Sequence, residues 1–166
     1  ARELEHGPGA FERPGRPTRA HARRLLRQTR EDPGLHADAE LVLRLELWPD
    51  CPREQHLEEM ASFLREPNRF VQFIVRDSRG RGVGLAEASI RTDYVNGTSS
   101  SPIAYLEGLY VAPEARGKGV ARSLVQAVSE WALAMGCTEL ASDTQPENLE
   151  SQAVHTQLGF VETERA

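Results

Sequence analysis

The stretch Arg116-Gly117-Lys118-Gly119-Val120-Ala121 constrains the fold of this chain more than any other segment, because of what flanks it. Before it, residues 103–111 form a β-rich apolar run; after it, Val120, Leu124, Val128, Trp131 and Met135 recur at helical spacing. A strand that passes through two glycines into a helix aims successive backbone N–H groups and the helix N-terminus at one point, where a pyrophosphate can sit. Gly117 and Gly119 remove the side chains that would block that approach. Gly136 is placed to end the helix in the left-handed conformation. The segment lacks both the Gly-Lys-Ser/Thr ending of a P-loop and the three-glycine dinucleotide fingerprint.

The remaining sequence supplies layers for this unit to pack on. Leu41, Val42, Leu45 and Trp48 follow helical spacing, with Asp38 as N-cap and Pro49 as stop. A second helix is predicted over 53–65, with Leu57, Met60, Ala61 and Leu64 on one side. The period then shifts to two: strands over 70–75 and 83–91 are joined by the glycine turn 77–82 as a hairpin. A loop over 94–102 leads to the strand 103–111, and beyond the central helix come a strand over 138–143, a helix over 148–158 and a closing strand over 160–164. This order predicts an α/β fold, a central mixed sheet flanked by helices. Residues 1–36, rich in Gly, Pro and Arg, read as a basic extension, either a disordered or non-native segment or an arm, in which only 20–29 could form a short basic helix. Residues 37–166 read as the domain.

At 166 residues and 39% hydrophobic, the chain can fill one core. It contains neither the roughly 18 consecutive apolar residues of a membrane span nor the apolar core of a signal peptide, which predicts a soluble, cytoplasmic protein with no membrane partner. Cys51 and Cys137 stand far apart and match no metal-ligand spacing, so two reduced thiols and no metal are expected. The net charge of -5 is uneven: residues 1–36 carry eight arginines against five acids, leaving twelve bases against twenty acids in the body. An acidic body repels phosphate backbones and attracts cations, which favours a small polycationic partner over nucleic acid.

Arg116-x-x-Gly119-x-Ala121, between strand and helix, resembles the acyl-coenzyme A signature of the GCN5-related N-acetyltransferases. Longer polar strings narrow the likeness: Leu47-Trp48-Pro49, Ala88-Ser89-Ile90-Arg91-x-Asp93-Tyr94-Val95-Asn96-Gly97, Leu106-Glu107-Gly108, Ala141-Ser142-Asp143-Thr144 with Pro146-Glu147-Asn148, and Gly159-Phe160-x-Glu162-Thr163-Glu164-Arg165. Over about residues 41–166 they are similar to aminoglycoside 6′-N-acetyltransferases of that superfamily. The resemblance implies the GCN5-related N-acetyltransferase fold, here with an atypical first strand and without the strand that follows Glu164 in the family. It implies acetyl-CoA as co-substrate, an aminoglycoside as the polycationic substrate, and a homodimer.

It also assigns residues. Trp48, Tyr94, Glu107, Asp143 and Glu164 would line the aminoglycoside pocket. Leu109, Tyr110, Val111, Arg116, Gly117, Lys118, Gly119, Val120, Ala121, Arg122 and Asn148 would contact acetyl-CoA. Glu107, Asp143, Tyr94 and His155 would form the catalytic group. Read without the family, Glu107 stands in an apolar strand between Leu106 and Leu109, where a buried carboxylate requires a partner, either a salt bridge or a substrate amine. Asp143 lies at the carboxyl end of a strand, where ligands bind in α/β sheets, or caps the turn that follows. Glu164 reads as solvated charge, and Trp48 and Tyr94 as core or cation-facing aromatics.

Mechanistically, Glu107 or Asp143 could take the ammonium proton, directly or through a water. A backbone N–H of Leu109 or Val111 could polarise the thioester carbonyl. His155 occupies the position where many superfamily members carry a proton-donating Tyr, and is otherwise a packed or surface histidine. Two rival functions remain open at this level: acetylation of another small amine, and a non-catalytic acyl-CoA binding module.

Overall fold

A computed structural model describes residues 2–6, 25–27, 33–92, 102–144 and 160–165, with backbone only for 2–6, 25–27, 33, 143–144 and 160–165. The elements run β1 (Arg2–His6), β2 (Leu25–Arg27), α1 (Pro33–Leu47), α2 (Arg53–Arg65), β3 (Phe70–Arg76), β4 (Gly82–Arg91), β5 (Ile103–Val111), a 3₁₀ turn (Pro113–Ala115), α3 (Val120–Ala134), β6 (Leu140–Thr144) and β7 (Phe160–Arg165). They build one mixed sheet in the order β2-β3-β4-β5-β6-β1-β7, in which β5 and β6 run parallel and every other pair is antiparallel. The expected α/β fold is therefore the observed one. The predicted helix over 148–158 lies outside the described residues.

Alternation along the strands divides the core between two faces. Ala86, Ala88, Ala104 and Leu106 turn to α3, where they meet Leu124, Val125, Val128 and Trp131. Ile74 and Leu85 turn the other way, onto Leu43 of α1, with Tyr110 against them. The β3–β4 turn is held by Asp77, whose Oδ1 accepts from the backbone N–H of Arg79 (2.9 Å) and Arg81 (3.0 Å) while Gly80 takes φ 81°. Those two bonds hold the Asp77 carboxyl below its ordinary pKa. Gly136 ends α3 with φ 85°, as its position in the sequence predicts.

Four local expectations change. Helix α1 begins at Pro33 rather than after Asp38, because proline fits the first helical position, where no N–H is needed. Its buried face mixes apolar and polar residues: Leu41 (9% exposed) and Leu43 (1%) are buried with His36, Glu40 and Arg44 (each at most 2%), whereas Val42 is 53% exposed. In α2 the buried residues are His56 and Met60, with Leu57 and Leu64 outward. Near the N-terminus, Leu25–Arg27 is a strand on the β3 edge where a short basic helix could have formed, and Arg2–His6 is inserted between β6 and β7.

Candidate active site

The site begins with an extra residue in β5. Glu87 pairs with Gly108 and Ala88 with Leu106, so Glu107 is a β-bulge with no partner of its own on β4. Upstream of it, even-numbered amides face β6, as Ala104 N does in donating to Glu139 O at 3.0 Å. Downstream, even-numbered amides face β4, as Ala112 N does in donating to Val83 O at 2.8 Å. The bulge thus reverses the strand's alternation and turns the N–H groups of Leu109 and Val111 away from β4.

They face a widening gap. The parallel pairing of β5 with β6 ends at Leu106↔Ser142, reinforced by Ser142 Oγ donating to the Leu106 carbonyl at 3.2 Å. Glu107 and Asp143 are the next residue on each strand and stand where the two strands separate. Beyond β6, Glu3 of β1 pairs with Asp143 on one side and with Glu164 of β7 on the other, so backbone register aligns acidic residues across the sheet at that level.

The far end of the gap is closed by the glycine segment. Gly117 (φ 74°) and Gly119 (φ 79°) both adopt the left-handed conformation that favours glycine. Gly119 is the N-cap of α3, and no side chain caps the helix, which leaves its first-turn N–H groups open to an anion. Arg116 ties this loop to the sheet: its Nε donates to the Val111 carbonyl at 3.0 Å. Gly84 lets α3 approach β4, since a Cβ there would fall 2.7 Å from Val120 Cγ1. A pocket of about 140 Å³ beside the loop is lined by Val75, Val83, Ala115, Lys118 and Val120 among others. The cradle fits a pyrophosphate-bearing group such as that of coenzyme A. Of the three strand residues expected to face such a group, Leu109 and Val111 pack on the α3 side of the sheet. The Tyr110 side chain lies on the α1 face, where burial and a hydrogen bond with Glu46 raise its pKa.

Glu107 is on the sheet face that carries α1 and α2. Its side chain is 35% exposed rather than buried, which corrects the sequence expectation: the bulge lifts it out of the pleat. Its partner, left open by the sequence, is a salt bridge. Oε1 accepts from Arg91 Nη2 at 2.8 Å and from Ser89 Oγ at 2.6 Å. The Arg91 guanidinium lies 3.6 Å from the centroid of the buried Tyr105 ring.

Beside Glu107, Trp48 rests on Gly108: a Cβ at Gly108 would fall 2.6 Å from Trp48 Cη2. Trp48 is held by charged residues that the sequence reading did not single out. Arg44, 1% exposed, bonds Glu87 through Nη1 and Glu59 through Nη2, and donates from Nε to His56 Nδ1 at 3.1 Å. Because Nδ1 accepts, Nε2 of a neutral His56 carries the proton and donates to the Trp48 carbonyl at 3.3 Å. Arg44 Cζ also sits 4.9 Å from the Trp48 ring centroid. Glu40 faces Glu87, and burial, followed by the Glu87 charge, pushes its carboxyl up to about 9, so it is protonated at neutral pH. A stripe of His36, Glu40 and Arg44 at four-residue spacing was the available signal, masked by the apolar residues beside it, of which Leu41 is buried and Val42 exposed.

The structure brings together Trp48, Glu107, the backbone of Asp143, residues 109–111 and the segment 116–122. Glu164 is placed by backbone only, two strands from β6. Tyr94, Asn148 and His155 lie outside the described residues. Cys51 and Cys137 are both free thiols, and burial raises the pKa of Cys137. Among the described residues no group of side chains could hold a metal ion, and no helix is long and apolar enough to cross a membrane.

The acetyltransferase (GNAT) family matches residues 24–160. An aminoglycoside N(6′)-acetyltransferase type 1 from Serratia marcescens is 50% identical over 77% of this chain and 87% of its own length. The enzyme of the same name from Salmonella typhimurium is 48% identical over 78% and 88%. Among solved structures, AAC(6′)-Iy in complex with the bisubstrate analogue CoA-S-monomethyl-acetylneamine superposes with a TM-score of 0.75 at 46% identity, covering 79% of this chain and 88% of that one. AAC(6′)-Ih from Acinetobacter baumannii superposes with a TM-score of 0.78 at 40% identity, covering 86% and 92%. With a bulged strand, a splayed β5–β6 pair and an uncapped glycine-flanked helix matched over most of its length, the chain belongs to the acetyltransferase (GNAT) family and groups with its aminoglycoside 6′-N-acetyltransferases.

Proposed function

We propose that this protein transfers the acetyl group of acetyl-CoA to the 6′-amino group of aminoglycosides, by direct transfer within a ternary complex, and thereby confers resistance. The observation that carries the reading is the gap between β5 and β6: open amides of Leu109 and Val111 and the uncapped end of α3 border it, and the Glu107 carboxylate stands at its mouth. The relatives' names, and the bisubstrate analogue bound by AAC(6′)-Iy, support the same substrates.

The first-turn N–H groups of α3 and the backbone of Gly117 to Gly119 hold the pyrophosphate of the coenzyme, and Asn148 also contacts acetyl-CoA. The coenzyme supplies an activated acyl thioester. Glu107, Asp143 and Glu164 attract the ammonium groups of the substrate, while Trp48 and Tyr94 wall the pocket. Holding amine and thioester together supplies about 7–11 kcal/mol of the barrier. Glu107 or Asp143 accepts the ammonium proton, directly or through a water, and the amine nitrogen then bonds to the acetyl carbon as the carbon–sulfur bond breaks, its second proton passing to water as the amide forms. The Leu109 or Val111 N–H polarises the thioester carbonyl. His155 returns a proton to the departing thiolate. A His155→Phe enzyme with unchanged turnover and pH profile would remove that role.

Residues 37–166 carry the proposed site, and residues 1–36 add strands β1 and β2 and the first turn of α1 to the same sheet and helix layer. The enzyme acts in the cytoplasm as a homodimer; exposed Leu35, Val42, Leu57 and Leu64 supply apolar surface for association, which sedimentation would detect. The reaction is tested by following thiol release from acetyl-CoA with aminoglycosides that carry either a 6′-amine or a 6′-hydroxyl. Release restricted to the 6′-amine compounds is expected. Release on spermidine but not on kanamycin, or coenzyme binding with no turnover on any amine, would overturn the reading.

A further inference from the structure

The carboxylate that faces the cleft is not bare. Glu107 is held by a permanently charged guanidinium, and that guanidinium is itself fixed on an aromatic ring. Arg91 approaches the Tyr105 ring to 3.6 Å, and Tyr105 is 4% exposed, so the cation rests on a buried platform and not on a mobile surface side chain. Both described contacts of the carboxylate, from Arg91 and from Ser89, fall on Oε1.

We propose that Arg91 is a specificity-determining residue: a resident counter-cation that competes with substrate ammonium groups for Glu107. The inference rests on Glu107 being a substrate carboxylate, as proposed above. An incoming ammonium meets a carboxylate whose charge is already offset, and it also meets the positive charge of Arg91 a few ångströms further on. An amine with a single positive charge gains little from such a site. A polycation carries further ammonium groups, which the acidic body of the protein attracts, and so gains enough to bind despite Arg91. Arg91 thus raises the threshold number of charges for binding, and Ser89 keeps Glu107 oriented whether or not the guanidinium stays on it.

The test is binding of kanamycin and of a monoamine sugar by calorimetry to the wild-type enzyme and to Arg91→Gln, Arg91→Lys, Glu107→Gln and the Arg91→Gln/Glu107→Gln pair, each with coenzyme A bound. Arg91→Gln is expected to tighten kanamycin binding by about fivefold, the size of a partly exposed ion pair, and to let the monoamine bind. KM for kanamycin should fall in step with the dissociation constant. Arg91→Lys, which keeps the charge, should behave as wild type, and the gain should vanish in the Glu107→Gln background. Weaker or unchanged kanamycin binding by Arg91→Gln would overturn the proposal, as would a gain that persists without the Glu107 carboxylate. Should Arg91→Gln lose coenzyme A binding and so fail as a folded probe, Arg91→Met, which keeps the apolar stem on Tyr105, carries the same expectations. A wild-type enzyme that binds no aminoglycoside at all would instead remove the functional reading on which the proposal rests.

Discussion

Gly108 and Trp48 are in contact across the sheet surface: the indole ring fills the space that a side chain at Gly108 would take, 2.6 Å from Trp48 Cη2 and 2.9 Å from Cζ2. A Gly108→Ala substitution therefore has to lift the ring or shift β5. Either response moves a wall of the proposed substrate pocket one residue from Glu107. The variant should lose about 1–3 kcal/mol of stability, and its KM for kanamycin should rise while its affinity for acetyl-CoA holds. Thermal unfolding and steady-state kinetics with each substrate varied check both parts.

A second glycine separates cofactor effects from substrate effects. In Gly84→Ala the new methyl would fall 2.7 Å from Val120 Cγ1 and 3.2 Å from Leu124 Cδ1, pushing the first turn of α3 away from the sheet. Coenzyme A affinity should drop, because the open amides of that turn move, whereas Trp48 is on the opposite face and is undisturbed. Calorimetric titration with coenzyme A measures the loss.

Glu40 makes stability depend on pH with a defined sign. Its folded pKa of about 9 is above the ordinary carboxyl value of 4.5, so the folded state binds the extra proton between those two values. The corresponding stabilisation is complete below the lower value and is lost as pH rises through about 9. Glu40→Gln keeps the shape and cannot ionise. Melting temperatures recorded from acid to alkaline pH should fall toward pH 9 more steeply in the wild-type protein than in this variant, and equal slopes would contradict the assignment.

Arg44→Met leaves Glu87, 3% exposed, without its cation and releases both Glu59 and His56. Breaking a buried ion pair by removing one partner costs about 3–5 kcal/mol, so urea unfolding should shift by that amount. Because Arg44 and His56 also hold Trp48, the surviving folded fraction should show a higher KM for the aminoglycoside.

The strand–glycine–helix unit was legible because each part obeys a local rule. Apolar residues at 103–111 and the helical repeat from Val120 are set by burial, and Gly117, Gly119 and Gly136 occupy positions that demand positive φ. The α1–α2 face was not legible by the same rule. There a buried arginine surrounded by Glu40, Glu59, Glu87 and His56 shares the buried face with apolar residues, so apolar periodicity found Leu41 and Met60, which are buried, but also selected Val42, Leu57 and Leu64, which face outward. Glu107 was singled out correctly as needing a partner, but its exposure depends on a register shift between β4 and β5, a non-local property. The pairing of Arg91 with it spans two strands and leaves no mark in the order of residues.

A β-strand has a parity, and this one changes parity once, at Glu107. The residue that presents the carboxylate is the same residue that turns the next two odd-numbered amides from the sheet toward the gap. Deleting it would restore an unbroken ladder with β4 and silence two sites together. Between residues 104 and 112 a substitution therefore keeps that frame and a change of length breaks it, because the carboxylate and the two amides of the proposed site share it.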